Sequence, residues 1–513
     1  MIDFLIVIIY FIIIFITAFS GRIKKDISSE DYFLSSRNLR WPSIAVSTIA
    51  TNIQGYQFLG MMGSAYLFGL AQASLEINAL QGILIAAFVF VPLYLKEKIT
   101  TITEFIKIKL GNTVALFYSL TNITLFSTIT IGAALFWGAY AADLVFGEQL
   151  SFINENRIYR IAIMIIFLGF FSAIYTYMGG LTAVVKTDII QFTILVLSGV
   201  CVLSTTIYHL GGWGQLYELS PDKMHLHLPI DHKVLPWTHL FGLFFLNINY
   251  WCANQSIMQR AIAAKNLGHA QAGLMIGGLL KYGMAILIVI PGIALYSLLD
   301  EPLLDPDMAF PYIVNTYVPT GLKGVILCGL FASLMSTVDS TFNSLATLWS
   351  VDIYSKYLKK DASEKQKIQA GKNAILVSLL TGLLMGLILL YLKFENPNTA
   401  FTHTLNELRY YINCGIVVLI CTSVIVVNPK AKWVLFSFLL TLPINLMIQA
   451  VFPEINYFVR AFFVVISGLI ISFLGSWSKL IIFNKLFQFN SKKEKIGAIF
   501  LIISLIIFHI VFH

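Results

Sequence analysis

Asn52-Ile53-Gln54-Gly55-Tyr56-Gln57 lies in the middle of an apolar stretch, residues 41–67, and its reading decides the fold. Amides at mid-depth of a hydrocarbon layer need partners, and a polar, glycine-containing run favours local unwinding. A second interruption, Asn247-Ile248-Asn249-Tyr250-Trp251-Cys252-Ala253-Asn254-Gln255, falls in the apolar stretch 236–256. Unwound backbone at membrane depth survives only where it lines a cavity or is packed in protein. The alternative is that these amides simply bond neighbouring helices.

The surroundings make both stretches membrane spans. Hydrophobic residues form 58% of the 513-residue chain and charged residues 12%, about half the charge of a soluble domain. The apolar residues come in blocks of about twenty, the length that crosses a bilayer. Fourteen spans are expected, at roughly 2–19, 41–67, 72–95, 114–146, 158–178, 184–208, 236–256, 271–298, 318–350, 373–393, 401–427, 433–452, 456–477 and 495–512. The first block has no basic region before it and no small-residue cleavage site after it, so it reads as a retained helix rather than a signal peptide. The five cysteines form no CxxC and no disulfide framework.

Positive charge orients the spans. With the N-terminus outside, 25 Lys and Arg fall in cytoplasmic loops, Arg260 among them, and seven on the outer side; Lys281 and Arg409 fall within spans. This explains the net charge of +8 without invoking nucleic acid. Both termini are then extracytoplasmic, in a cell (inner) membrane protein that needs no oligomer.

The two interrupted spans are five apart. Spans 2–6 and 7–11 thus read as two five-helix units of opposite orientation, each beginning with a broken helix. That is the inverted-repeat pattern of secondary transporters, with the site at the midplane. The expected architecture is all-α and polytopic: an extra helix and loop at 1–40, a ten-helix core at 41–427 (repeats 41–208 and 236–427), and three peripheral spans at 428–513.

Charge within spans points to the same centre. Glu76 lies near the outer end of span 3, and Lys281 about 15 Å into span 8; they read equally as a structural ion pair or as a pair that holds hydroxyls. Asp188 and Asp339 lie in the inner halves of spans 6 and 9, with Lys186 a candidate structural partner. Glu407 and Arg409 lie in span 11. In span 9, Ser333, Ser336, Thr337 and Ser340 share one face. These hydroxyls, with carbonyls freed by the break in span 2, suit a hard cation; serines bonding back to their own helix are the alternative. The outer loop 209–235 carries His209, His225, His227 and His232, whose spacing fits no zinc pattern, so it is expected to be a solvated loop.

The chain resembles the sodium:solute symporter family from about residue 20 to 430. The resemblance rests on Tyr175-Thr176-Tyr177-Met178-Gly179-Gly180 with Lys186-Thr187-Asp188, on Tyr250-Trp251-Cys252 with Gln259-Arg260 and Ala264-Lys265-Asn266, and on Ala332-Ser333-Leu334-Met335-Ser336 leading to Phe342-Asn343-Ser344. Within the family it is most similar to the sodium/glucose and sodium/galactose branch. The resemblance implies that Asn52, Gln57, Glu76, Asn247 and Lys281 contact sugar hydroxyls and that Tyr250 stacks on the pyranose. Met61, Leu75 and Phe401 match an apolar outer gate, with Leu75 in place of an aromatic, and Trp251 is placed with the gates. It also implies a sodium site at the carbonyls of Ala50, Ile53 and Ser333 and the hydroxyls of Ser336 and Thr337. Asp188, Asp339 and Ser340 match the region of a second cation site. Leu405, beside Asn406, stands where the branch has glutamine; Glu407 and Arg409 are departures, as is Asp339, where a hydroxyl residue is usual.

The expected function is sodium-coupled import of a small neutral, hexose-like sugar by alternating access, with Na+ as the coupling ion and no organic cofactor. Alternatives are a sodium symporter for sialic acid, inositol or another polyol, with Arg409 as partner of an acid sugar, or a transporter-like sensor. No GxxxxGK[ST], HExxH or GxSxG is present, which leaves no nucleotide-driven pump and no enzyme constellation.

Overall fold

The computed structural model describes residues 2–20, 27–395, 401–481 and 486–513; the side chains of 401–406 and 408 are outside that description. The described chain is mostly helix joined by short loops, and its described residues form no strand, only three isolated backbone bridges. Among the described residues, ten helical runs are long and apolar enough to cross a membrane. Some contain more than one crossing. Arg157–Leu210 is a continuous run of 54 residues, about 80 Å at 1.5 Å per residue, against a hydrocarbon core of about 30 Å. It bends at Gly180, where φ is +54°; a Cβ there would sit 2.3 Å from the Tyr32 carbonyl oxygen, so only glycine fits. The run Gln57–Lys96 turns likewise at Gly69, φ +64°. Divided at these bends, and with the two interrupted helices each joined across their break, the described helices form the fourteen crossings expected.

Both predicted breaks are present. Span 2 is helical over Trp41–Asn52, leaves the helix at Ile53–Gln54, and resumes before the wide turn Gln57–Met61. Span 7 is helical over His239–Ile248, widens over Asn249–Ala253, breaks at Asn254, and resumes over Gln255–Ile262. The freed carbonyls of the second break are held by tyrosines from spans 3 and 4: Tyr94 Oη donates to Cys252 O at 2.8 Å and Tyr118 Oη to Ala253 O at 2.5 Å. Gly82 lets spans 3 and 7 meet, since a Cβ there would lie 2.6 Å from Asn247 O.

Burial separates core from periphery. The most apolar window of the ninth helix, Leu322–Leu358, is 94% buried, whereas that of the last, Lys492–Val511, is 17% buried. A lipid-facing helix exposes leucine and isoleucine because acyl chains are as apolar as they are; Ile496, Ile499, Ile503 and Ile510 do so.

The charge count needs three corrections. Arg260, assigned to a cytoplasmic loop, is completely buried, because the helix after the second break folds back into the protein. Arg160 and Arg460, assigned to the outer side, are also buried, each against a carboxylate: Arg160 Nε lies 2.6 Å from Asp143, and Arg460 is paired with Glu407. These three charges report tertiary pairing rather than topology.

Candidate functional site

A cavity of about 690 Å³ lies between the two broken helices, within the size range of small-molecule sites. Asn52, Gln57, Glu76, Asn247, Tyr250 and Lys281 all line it, as do Met61, Leu75 and Trp251. Six residues expected to contact solute, drawn from spans 2, 3, 7 and 8, thus share one chamber. The Phe401 side chain lies outside the described residues. Residues that sequence reasoning missed also line it, among them Tyr56, Tyr410, Asn413, Asp305 and Asp307. Asn413 carried a signal, being an amide within an apolar span.

The polar wall is one network. Gln57 Oε1 accepts from the Gln54 backbone N–H at 2.7 Å, tying the side chain to the break. Gln57 Nε2 donates to Glu76 Oε1 at 2.9 Å, and Glu76 Oε2 is paired with Lys281 Nζ. Lys281 is 2% exposed and Glu76 6%, so the two charges neutralise each other out of water, as such pairs must. Asn247 Nδ2 donates to the Asn78 backbone carbonyl at 3.0 Å. Asn52 Oδ1 is buried with no hydrogen-bond partner, an open acceptor on a residue that lines the cavity. Not every amide serves the cavity. Asn254 caps the helix after the break through Ser256 N at 2.9 Å, and Gln255 accepts from Ile102 N at 3.0 Å; these two bond neighbouring segments.

The cavity reaches the side that positive charge assigns as outer, where Val234, Leu235, Asp305–Asp307 and Lys393 line its mouth. The other side is shut. Leu39 and Ala264 are bridged by backbone bonds, Leu39 N to Ala263 O at 3.1 Å and Lys265 N to Leu39 O at 2.9 Å. Gln259 Nε2 bonds Phe33 O at 2.7 Å and Thr347 Oγ1 at 2.8 Å, and Arg37 caps the Lys98 and Ile99 carbonyls at 3.0 and 2.9 Å.

Span 9 faces the first break with oxygen. Ser333 Oγ donates to Ile53 O at 3.1 Å, and Thr337 Oγ1 lies 3.1 Å from Thr51 O and 3.2 Å from its own helix at Ser333 O. Both readings of the stripe are therefore present: Thr337 bonds back to its helix and also meets the broken one. The convergence of hydroxyls with unwound carbonyls gives the all-oxygen donor set a hard cation takes. Ser336 Oγ instead donates to Asp188 Oδ1 at 2.5 Å.

The partner of Asp188 is Arg260, not Lys186. Arg260 Nη2 lies 3.2 Å from Asp188 Oδ2, also bonds Ser340 Oγ, and Nε lies 2.9 Å from Ser47 Oγ. Asp339, also completely buried, accepts from Tyr175 Oη at 2.5 Å and from Ser340 Oγ at 3.4 Å. Asp188 and Ser340 thus meet on one guanidinium, and Asp339 joins them through Ser340.

The departures in span 11 differ in setting. Glu407 pairs with Arg460 and accepts from Gln449 Nε2 at 3.2 Å. Arg409 is electrostatically coupled to Tyr56, Tyr250 and Tyr410, all of which line the cavity. In the outer loop, His225 and His227 bind the end of the last helix, and His232 bonds the Val234 and Leu235 amides. The loop touches the last helix at these points, while His209, His225 and the stretch Pro229–Asp231 stay exposed. Among the described residues no three His, Cys, Asp or Glu side chains are placed to hold a metal.

With this geometry in view, the relatives can be set beside it. The family model described as the sodium:solute symporter family matches residues 32–426. A sodium/glucose cotransporter of Vibrio parahaemolyticus is 31% identical over 73% of this chain and 72% of its own length. A human sodium/myo-inositol cotransporter is 28% identical over 72% of this chain and 56% of its own. Among solved structures, a Na+-coupled sialic acid symporter in a substrate-bound, outward-open state superposes with a TM-score of 0.79 at 21% identity, covering 94% of this chain and 99% of that one. Mhp1, a nucleobase-cation-symport-1 family transporter in a closed conformation, superposes with a TM-score of 0.58 at 14% identity, covering 93% and 99%. At those identities the likeness is one of fold.

Proposed function

The chain belongs to the sodium:solute symporter family, and from that premise we propose that it imports a small neutral, hexose-like sugar together with sodium by alternating access across the cell membrane. The observation that carries this reading is the cavity wall: Asn52, Gln57, Glu76, Asn247 and Lys281 offer donors and acceptors in a chamber that Tyr250 and other aromatics also line. A pyranose has the matching form, hydroxyls at its edge and an apolar face. The open outer mouth and closed inner side fit a carrier awaiting solute from outside, with both termini extracytoplasmic. Uptake of labelled hexose into proteoliposomes, with and without an inward sodium gradient, tests it; accumulation that does not need sodium, or no hexose accumulation at all, overturns it.

Gln57 is bonded at both ends, to the break and to Glu76. Gln57→Ala should raise the sugar KM roughly fivefold to a hundredfold, since removing a neutral partner from a buried group costs about 1–3 kcal/mol. An unchanged KM removes Gln57 from the sugar site.

Sodium enters this reading as cargo, held by the carbonyls of Ala50, Ile53 and Ser333 and the hydroxyls of Ser336 and Thr337. With both carboxyls ionised, Asp188, Asp339 and Arg260 would together carry one uncompensated negative charge. It would be localised at Asp339, whose partners are hydroxyls. Such a charge is costly at this depth unless a cation or proton joins it. We therefore place a second cation beside Asp339 and Ser340, with Arg260 already serving Asp188. Initial uptake rates should be sigmoidal in sodium for the native protein and hyperbolic in Asp339→Asn; a hyperbolic native curve with no pH dependence removes this second ion.

One observation favours an anionic sugar instead: Arg409 lies within electrostatic reach of three tyrosines of the cavity, and the sialic acid symporter shares the fold. Competition decides between them. Inhibition of sodium-driven uptake by sialic acid but by no hexose selects the anionic reading, and Arg409→Gln then abolishes it.

A further inference from the structure

The last helix, Lys492–Val511, is the least buried of the long apolar helices, yet one of its side chains reaches the wall of the cavity through a single intermediary. His509 Nε2 lies 3.2 Å from Asn78 Oδ1, and the backbone carbonyl of Asn78 accepts from Asn247 Nδ2 at 3.0 Å. Asn78 is 2% exposed.

The proton positions follow from the partners. Asn78 Nδ2 donates to Ser74 O at 2.9 Å, and Asn78 Oδ1 already accepts from Gln81 Nε2 at 3.0 Å, so Oδ1 faces His509. An amide oxygen is an acceptor only, so His509 Nε2 carries the hydrogen and its Nδ1 accepts. The partner at Nδ1 is His227 Nε2, 2.9 Å away, which must then donate. Donation converges on Asn78 of span 3, from the outer loop through the last helix on one side and from the Asn247 amide of span 7 on the other. The fourth imidazole nitrogen, His227 Nδ1, is buried and unpartnered, as expected of the neutral tautomer. Burial, and secondarily His513, hold the His227 imidazole below its ordinary range. The loop is fixed alongside: Leu226 N donates to Phe512 O at 2.6 Å, and His225 Nδ1 lies 2.7 Å from His513 O. Tyr282, next to Lys281, packs on Phe508 and lies 3.3 Å from Ser504 Oγ.

We infer that His509 is a positioning residue for solute: by donating to Asn78 it fixes the carbonyl that orients Asn247, and so tunes affinity from a helix outside the ten-helix core. This rests on the reading of Asn247 as a sugar contact. The group is fixed by geometry on both sides, which is how outer partners act on a binding side chain.

The full-length protein in proteoliposomes tests it, with initial uptake measured against solute and against sodium. His509→Leu, which keeps bulk but removes both hydrogen bonds, should raise the sugar KM roughly three- to tenfold, the size of one buried neutral hydrogen bond. The maximal rate and the sodium half-saturation should stay near native. His509→Gln, which still donates to Asn78, should recover most of the affinity. His227→Ala should have a smaller effect that is lost in the His509→Leu background. A native KM in His509→Leu, or a fall in maximal rate with KM unchanged in both variants, overturns the inference. Wild-type protein that accumulates no hexose overturns the proposed substrate instead, and the same comparison is then made with the polyol or anionic sugar that accumulates, since Asn247 lines the cavity for either.

Discussion

Lys281→Ala is expected to abolish sodium-driven sugar accumulation. Lys281 and Glu76 form an ion pair that is almost wholly buried, and deleting one member strands the other charge at about 3–5 kcal/mol. At 1.4 kcal/mol per decade, kcat/KM should fall by at least a hundredfold. The pair also reaches Gln57 through Glu76, so the loss spreads to a second proposed sugar contact. A purely structural pair predicts something else. Removing both charges, in Glu76→Ala with Lys281→Ala, leaves no stranded ion, so a structural pair would regain transport in the double variant. A sugar-binding pair would regain expression and thermal stability but not uptake. Uptake within about threefold of native in the double variant therefore refutes a binding role.

Ser336→Ala with Thr337→Ala should remove sodium dependence while leaving the protein expressed. Two oxygens of the proposed ion site vanish, and each buried partner is worth roughly 1–3 kcal/mol, so the sodium half-saturation should rise about thirtyfold or more. The two changes are separable because the side chains point differently. Thr337 meets the broken helix at Thr51 O, whereas Ser336 donates to Asp188. Thr337→Ala alone should raise the sodium half-saturation without altering pH dependence. Ser336→Ala should also leave Asp188 short of a donor, and so alter stability. Retention of native sodium dependence by the double variant places the ion elsewhere.

How the sequence and the fold divided the work is clearest at Arg260 and Gln57. Gln57 was legible because an amide at mid-depth of an apolar span is costly unless it lines a cavity or is bonded. The same cost exposed Asn52, Glu76, Asn247 and Lys281, and the structure brings all of them to one chamber. Arg260 was not legible as a buried group. It follows the second break, and a break resets both the axis and the register of a helix, so counting residues from it no longer gives depth. Arg160 and Arg460 escaped for a related reason: they lie near helix ends, where sequence cannot distinguish a solvated cation from one turned inward onto Asp143 or Glu407.

The sequence by itself determined the crossings, the two breaks, the hydroxyl face of span 9 and the transporter class, because each is a local conflict between polar groups and hydrocarbon that one stretch of chain displays alone. Only the tertiary structure decided that Asp188 is answered by Arg260 rather than its near neighbour Lys186, that Glu407 pairs with Arg460, and that His509 of a peripheral helix touches Asn78. These are contacts between segments as much as 431 residues apart. A helix sequence gives depth along an axis and the angle of each side chain about it, but which neighbour lies at that angle is set by how fourteen helices pack together.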